Sequence, residues 1–158
     1  MKRLTLLAAA LTLALGGCAT APSGSAPTQA QNCQPTNEQE IAALFDRWNA
    51  SLQTGDPKKV AANYSSRTLL LPTVSNRPRQ TAAEIEDYFV YFLKDQPSGT
   101  VVSRMISIGC NTAVDTGLYN FTFAKTGKSV AARYTYTYEW KDGQWLISSH
   151  HSSALPEQ

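Results

Sequence analysis

The apolar residues of this chain change their spacing once, at Gly99, and that change limits what the chain can fold into. Before it the period is helical. Ile41, Leu44, Phe45, Trp48 and Leu52 fall at i, i+3, i+4, i+7 and i+11 on one face. After it the period is two. Val102, Arg104, Ile106 and Ile108 share one face of a strand, and Tyr119, Phe121 and Phe123 share one face of the next. In a third strand Tyr134, Tyr136, Tyr138 and Trp140 alternate with Arg133, Thr135, Thr137 and Glu139. Lys141-Asp142-Gly143 turns the chain into a last strand that carries Trp145, Ile147, Ser149 and His151 on one side. Helices followed by a long antiparallel meander predict an α+β domain, with helices packed on one face of a curved, mostly antiparallel sheet.

Local signals place the helices. Asn37 with Glu40 reads as a capping box and Gly55 as a stop. Asp56-Pro57 starts a short second helix with Val60 and Tyr64 as its apolar contacts, and Arg67 to Thr73 reads as a strand closed by Pro72 and a turn from Asn76 to Pro78. Thr81 with Glu84 opens a third helix that buries Ile85, Tyr88, Phe89 and Phe92.

The N-terminus has a different character. Lys2 and Arg3 precede an apolar run from Leu4 to Leu15, which reads as a secretory signal too short to span a bilayer as a permanent helix. Leu15-Gly16-Gly17-Cys18 resembles a bacterial lipobox, so residues 1–17 are expected to be removed and Cys18 to carry the lipid. The competing reading is an ordinary signal peptide with a chance cysteine. Ala19 in place of Asp favours, by resemblance to Gram-negative sorting signals, the outer membrane with the domain facing the periplasm. Residues 18–36 read as an uncharged Ala-, Pro-, Ser-, Thr- and Gln-rich tether, and residues 37–158 as the folded domain.

Charge then becomes informative. The chain has 14 Lys and Arg against 12 Asp and Glu, and loss of Lys2 and Arg3 leaves the remainder formally neutral. Electrostatic binding to nucleic acid or to an acidic membrane surface needs clustered excess cations, so neither is expected. Cys33 and Cys110 form a disulfide candidate in an oxidising compartment, worth about 3 to 4 kcal/mol. The alternative is one buried and one exposed thiol. Without Cys-x-x-Cys spacing, neither a redox centre nor a zinc site is supported, and no cofactor is expected.

The stretches Glu40 to Asp56, Ile108 to Asn111 and Asp142 to Pro156 resemble the nuclear transport factor two-like cone. Within it they are similar to the group related to the association domain of calcium/calmodulin-dependent protein kinase II, whose bacterial members include SgcJ/EcaC-type proteins. The resemblance covers residues 37–156. It implies a cone-shaped pocket between the first helix and the concave sheet face, and self-association through the sheet, with a homodimer expected here. The oxidoreductase label attached to such relatives finds no dinucleotide-binding Gly-rich turn in this chain.

Six residues are candidates for ligand binding: Tyr88, Arg104, Arg133, Tyr136, His150 and His151. Arg104 sits on an apolar face, where it either anchors a carboxylate in the cone or bridges an internal acid such as Asp46 or Asp115. Arg133 lines the pocket or a sheet-to-sheet contact. The tyrosine row packs the core or lines a pocket for a planar ligand. His150 and His151 are adjacent on a strand and face opposite sides, so one of them can enter the pocket and the pair cannot chelate a metal. Two arginines of the kinase-hub pocket align with Ser152 and Tyr136, which weakens a cationic pocket.

Isomerases and cyclases of this fold take a carboxylate base from the region between the second and third helices, and no Asp or Glu occurs between Asp56 and Glu84. That interval holds Lys58, Lys59, Arg67, Arg77 and Arg79, a basic patch that Glu84, Glu86 and Asp87 can balance. Three functions follow as expectations. The first is a periplasmic lipoprotein with a self-associating, ligand-binding cone. The second is an enzyme of the same fold acting on a small hydrophobic substrate, and the third a purely structural oligomerisation module.

Overall fold

The computed structural model describes residues 32–156. Lys2, Arg3, the apolar run, Cys18 and most of the tether lie outside the described residues. Among the described residues no helix is long and apolar enough to cross a membrane.

Helix α1 (Glu38–Gln53) begins where Asn37 accepts a 3.0 Å hydrogen bond from the Glu40 amide, and it buries the five residues that helical spacing selects. Helix α2 (Pro57–Ala61) is capped by Asp56 and ends three residues before Tyr64. Strand β1 occupies Tyr64–Leu71, starting and ending earlier than the expected Arg67 to Thr73. Asn63 is the cause. Its amide donates to the Lys59 and Val60 carbonyls, closing α2, while its own carbonyl accepts from Ile147 and draws the chain into the sheet. Tyr64 is therefore a strand residue rather than an α2 contact. Helix α3 (Ala82–Phe92) carries the Thr81–Glu84 capping box and runs into a short 3-10 turn, Leu93–Asp95.

The remaining strands are β2 (Pro97–Gly109), β3 (Thr112–Phe123), β4 (Lys128–Lys141) and β5 (Gln144–Ala154). They form one sheet in the order β1-β5-β4-β3-β2, antiparallel except for the parallel β1–β5 pair. The helices cover its concave face. The sheet is the expected α+β architecture, with register shifts in three strand pairs, two of which change which residues face the helices.

In β2 the pairing shifts between Val101 and Ser103, so Val102 is an inserted residue. Val102 leaves the face of Arg104, Ile106 and Ile108 and is 59% exposed. Gly117 accommodates the bulge: a Cβ there would lie 2.0 Å from the Ser103 carbonyl oxygen. A second bulge in β5, between Ile147 and Ser149, reverses the sides of everything after it. Trp145 and Ile147 face the helices, and His150 and Ser152, rather than the expected Ser149 and His151, share their side.

Cys33 and Cys110 are disulfide-bonded across 77 residues. Asn111 sits in the β2–β3 turn with φ 58°, and its side chain donates to the Asn32 carbonyl and accepts from the Gln34 amide. Covalent and hydrogen bonds thus pin the segment entering α1 to the hairpin tip. A loop of this length restricts the unfolded chain by about 4 kcal/mol. The Cys33→Ser, Cys110→Ser double variant should lose about that much stability in urea denaturation, and wild type in reductant should match it.

Candidate ligand cavity

The closed end of the cone is filled by its own side chains. Trp48 from α1 and Tyr134, Tyr136 and Tyr138 from β4 are all within 2% of complete burial and pack ring against ring. Tyr136 is thereby sealed in the floor, beneath the cavity rather than on its wall. Toward the open end a chamber of about 50 Å³ remains, walled by Trp48, Leu70, Tyr88, Phe89, Phe121, His150 and Ser152 among others. By the same measure a single water needs roughly 10–15 Å³, so the chamber admits only a few heavy atoms. It shares Val74, Tyr88, Phe92, Phe123 and Val130 with an outer cleft of about 470 Å³, rimmed by Arg79, Tyr91, Asp95 and Lys128.

His150 is the polar residue most enclosed by this space, at 4% exposure. Its ring stacks on Tyr136 at 4.1 Å and meets Trp48 edge-on at 5.5 Å. Nδ1 lies 2.9 Å from the Tyr64 hydroxyl, which in turn accepts from the Trp48 indole at 3.1 Å. Nε2 has no hydrogen-bond partner among the described residues. Burial, with a smaller contribution from His151, pushes the imidazole down to about 3, so the ring is neutral at ordinary pH. Burial also raises the Tyr64 phenol well above its usual range. Ser152, one step along the same face, receives the Tyr119 hydroxyl and meets Thr73.

The other candidates are placed as follows. Tyr88 lines both chamber and cleft, with the Arg79 guanidinium 5.8 Å from its ring centre. Arg104 lies on the helix-facing side with its Nη2 3.0 Å from Asp115 Oδ2, so of the two readings for this residue the internal bridge is formed. Asp115 is fully buried, and burial raises its carboxyl even though the Tyr134 hydroxyl and Arg104 pull it back. Arg133 and His151 lie on the opposite, helix-free face in a shallow groove with Thr116, Leu118 and Thr135. Among the described residues no three His, Cys, Asp or Glu side chains converge as a metal site would require. The sequence reading missed Tyr64, which orients His150, because helical spacing after Pro57 assigned it to α2.

Comparison with known proteins now identifies the lineage. The family described as the calcium/calmodulin dependent protein kinase II association domain matches residues 37–156. This chain belongs to that family. A Xanthomonas campestris crystal structure assigned to the same association domain is 49% identical, with a TM-score of 0.74 over 78% of this chain and 91% of that one. An NTF2-like protein of unknown function from Pseudomonas putida KT2440 is 16% identical, with a TM-score of 0.66 over 75% and 86%. A cystatin-like-fold protein from Nostoc punctiforme PCC 73102 is 15% identical, with a TM-score of 0.67 over 79% and 96%. These last two show the fold alone. No curated protein matches the chain.

Two titrations test the interior of the association domain. A histidine in the unfolded chain takes up a proton near pH 6.5, whereas folded His150 does so only at about 3. The stability that depends on a neutral His150 is therefore complete above about pH 6.5 and is lost toward pH 3, at about 1.4 kcal/mol per unit. Denaturation of wild type and His150→Gln between about pH 6.5 and 5 should show that slope in wild type and its absence in the variant. Arg104→Met strands a buried carboxylate and should lose about 3 kcal/mol at neutral pH. That loss should shrink on acidification, because protonated Asp115 needs no counter-ion, and equal losses at neutral and acid pH would refute the pairing.

Proposed function

We propose that this chain is a lipid-anchored periplasmic protein whose association domain binds a small organic ligand in the cone mouth and pairs with a second copy through its sheet. The observation that carries ligand binding is the apolar chamber with a buried histidine, opening into a cleft of the size that small molecules occupy. Because aromatic rings fill the closed end, the ligand seats at the mouth, with only a slender end entering the chamber.

Self-association is supported by family membership and by the helix-free face. Leu118 is exposed there in the groove that holds Arg133 and His151, and Met105, 66% exposed, pairs in register with Thr116 of the same groove. The Cys33–Cys110 bond suits an oxidising compartment, the basic run, apolar run and Cys18 support export and lipidation, and Ala19 in place of Asp favours the outer membrane. A purely structural module remains the second reading, favoured by the narrowness of the chamber.

Sedimentation and ligand titration on the same preparations separate these roles. Met105→Glu with Leu118→Glu should convert a dimer to monomer and leave ligand binding intact. A wild-type monomer would remove the sheet contact from the reading. Metabolic labelling with palmitate should mark wild type and spare Cys18→Ala.

A further inference from the structure

We infer that the chamber selects an uncharged ligand whose inner end is an oxygen acceptor, held by the Nε2–H of His150. This deepens the ligand-binding reading and rests on it.

The proton positions follow from a chain of three side chains. The Trp48 indole is a donor only, and it donates to the Tyr64 hydroxyl oxygen at 3.1 Å. Among the described residues the only acceptor recorded for the Tyr64 proton is His150 Nδ1, at 2.9 Å. If Nδ1 carried a proton instead, the buried phenol would be left without an acceptor, which costs more than the alternative tautomer. Nδ1 therefore accepts, and in a neutral ring the proton resides on Nε2.

That donor is buried, lacks a partner among the described residues, and belongs to a ring that lines the chamber. The Ser152 hydroxyl beside it is already engaged by Tyr119 and Thr73. Among the described residues no guanidinium or ammonium lines the chamber. Arg104 is committed to Asp115 away from it, and Arg79, on the outer rim, is held by Asp87 and the Glu84 carbonyl. A carboxylate pushed into the chamber would lose its hydration and gain no counter-charge. A ketone, aldehyde or ester oxygen meets His150 without that loss, while an apolar stem runs outward along Phe92, Phe123 and Val130.

Three probes of matched length test this: 2-hexanone, 1-hexene and hexanoate, titrated into the protein with amide and histidine-ring nitrogen spectra as readouts. The free protein should show the Nε2–H tautomer at His150, and 2-hexanone should shift that resonance. The ketone should bind about tenfold more tightly than the alkene, and hexanoate more weakly than either. His150→Phe should bind both neutral probes equally, and His150→Gln, which retains a donor, should keep part of the ketone preference. An Nδ1–H tautomer, tighter binding of hexanoate, or an unchanged ketone preference in His150→Phe would overturn the assignment while leaving a ligand cavity in place. Failure of all three probes to bind would overturn the ligand-binding reading itself, and this assignment with it.

Discussion

The contact between Trp48 and the aromatic floor of the sheet organises this domain. From the middle of α1 the indole meets Phe45, Phe89, Phe121, Tyr136 and His150 at ring separations of 5.5 to 6.2 Å. It thus joins α1, α3, β3, β4 and β5 through one side chain. Aromatic pairs of this geometry add about 0.5–1.5 kcal/mol each beyond the area they bury. The same indole has one polar atom, and satisfying it fixes Tyr64, which in turn fixes the imidazole of His150. Packing and polar order in the interior therefore share a single origin.

That arrangement explains why the cavity is small and where it lies. Large rings from both layers meet at the closed end, and the chamber lies toward the other end, between α3 and the β3–β4 hairpin. Two groups of polar side chains stand out in the interior. Asp115 gathers Arg104 and Tyr134 at one end, while His150, oriented by Tyr64, and Ser152 border the chamber at the other. Two cations of the basic patch before α3 are held locally, Arg77 by Glu84 and Arg79 by Asp87.

Much of the fold was legible in the sequence because it rests on short-range physics. Helical spacing from Ile41 to Leu52, the caps at Asn37 and Thr81, and the alternation from Tyr134 to Trp140 each express a local periodicity that the structure keeps. The α2–β1 boundary was misread where Asn63 closes the helix and pairs with Ile147, a residue 84 positions away in sequence. The facing of the last strand was misread for a related reason. Alternation counted from Trp145 puts His151 on the side of Trp145 and Ile147, and one inserted residue near Ser148 gives that place to His150.

What the sequence determined by itself is the class of the domain, the order of its elements, the family to which residues 37–156 belong, and the pair of cysteines able to cross-link. Tertiary structure decided which of two adjacent histidines meets the cavity, which acid receives Arg104, and how much of the cone its own aromatics occupy. The reason is physical. Periodicity is written within a few consecutive residues, whereas a bulge, an ion pair and a void are set by what the opposing layer supplies, and that layer is distant in the chain.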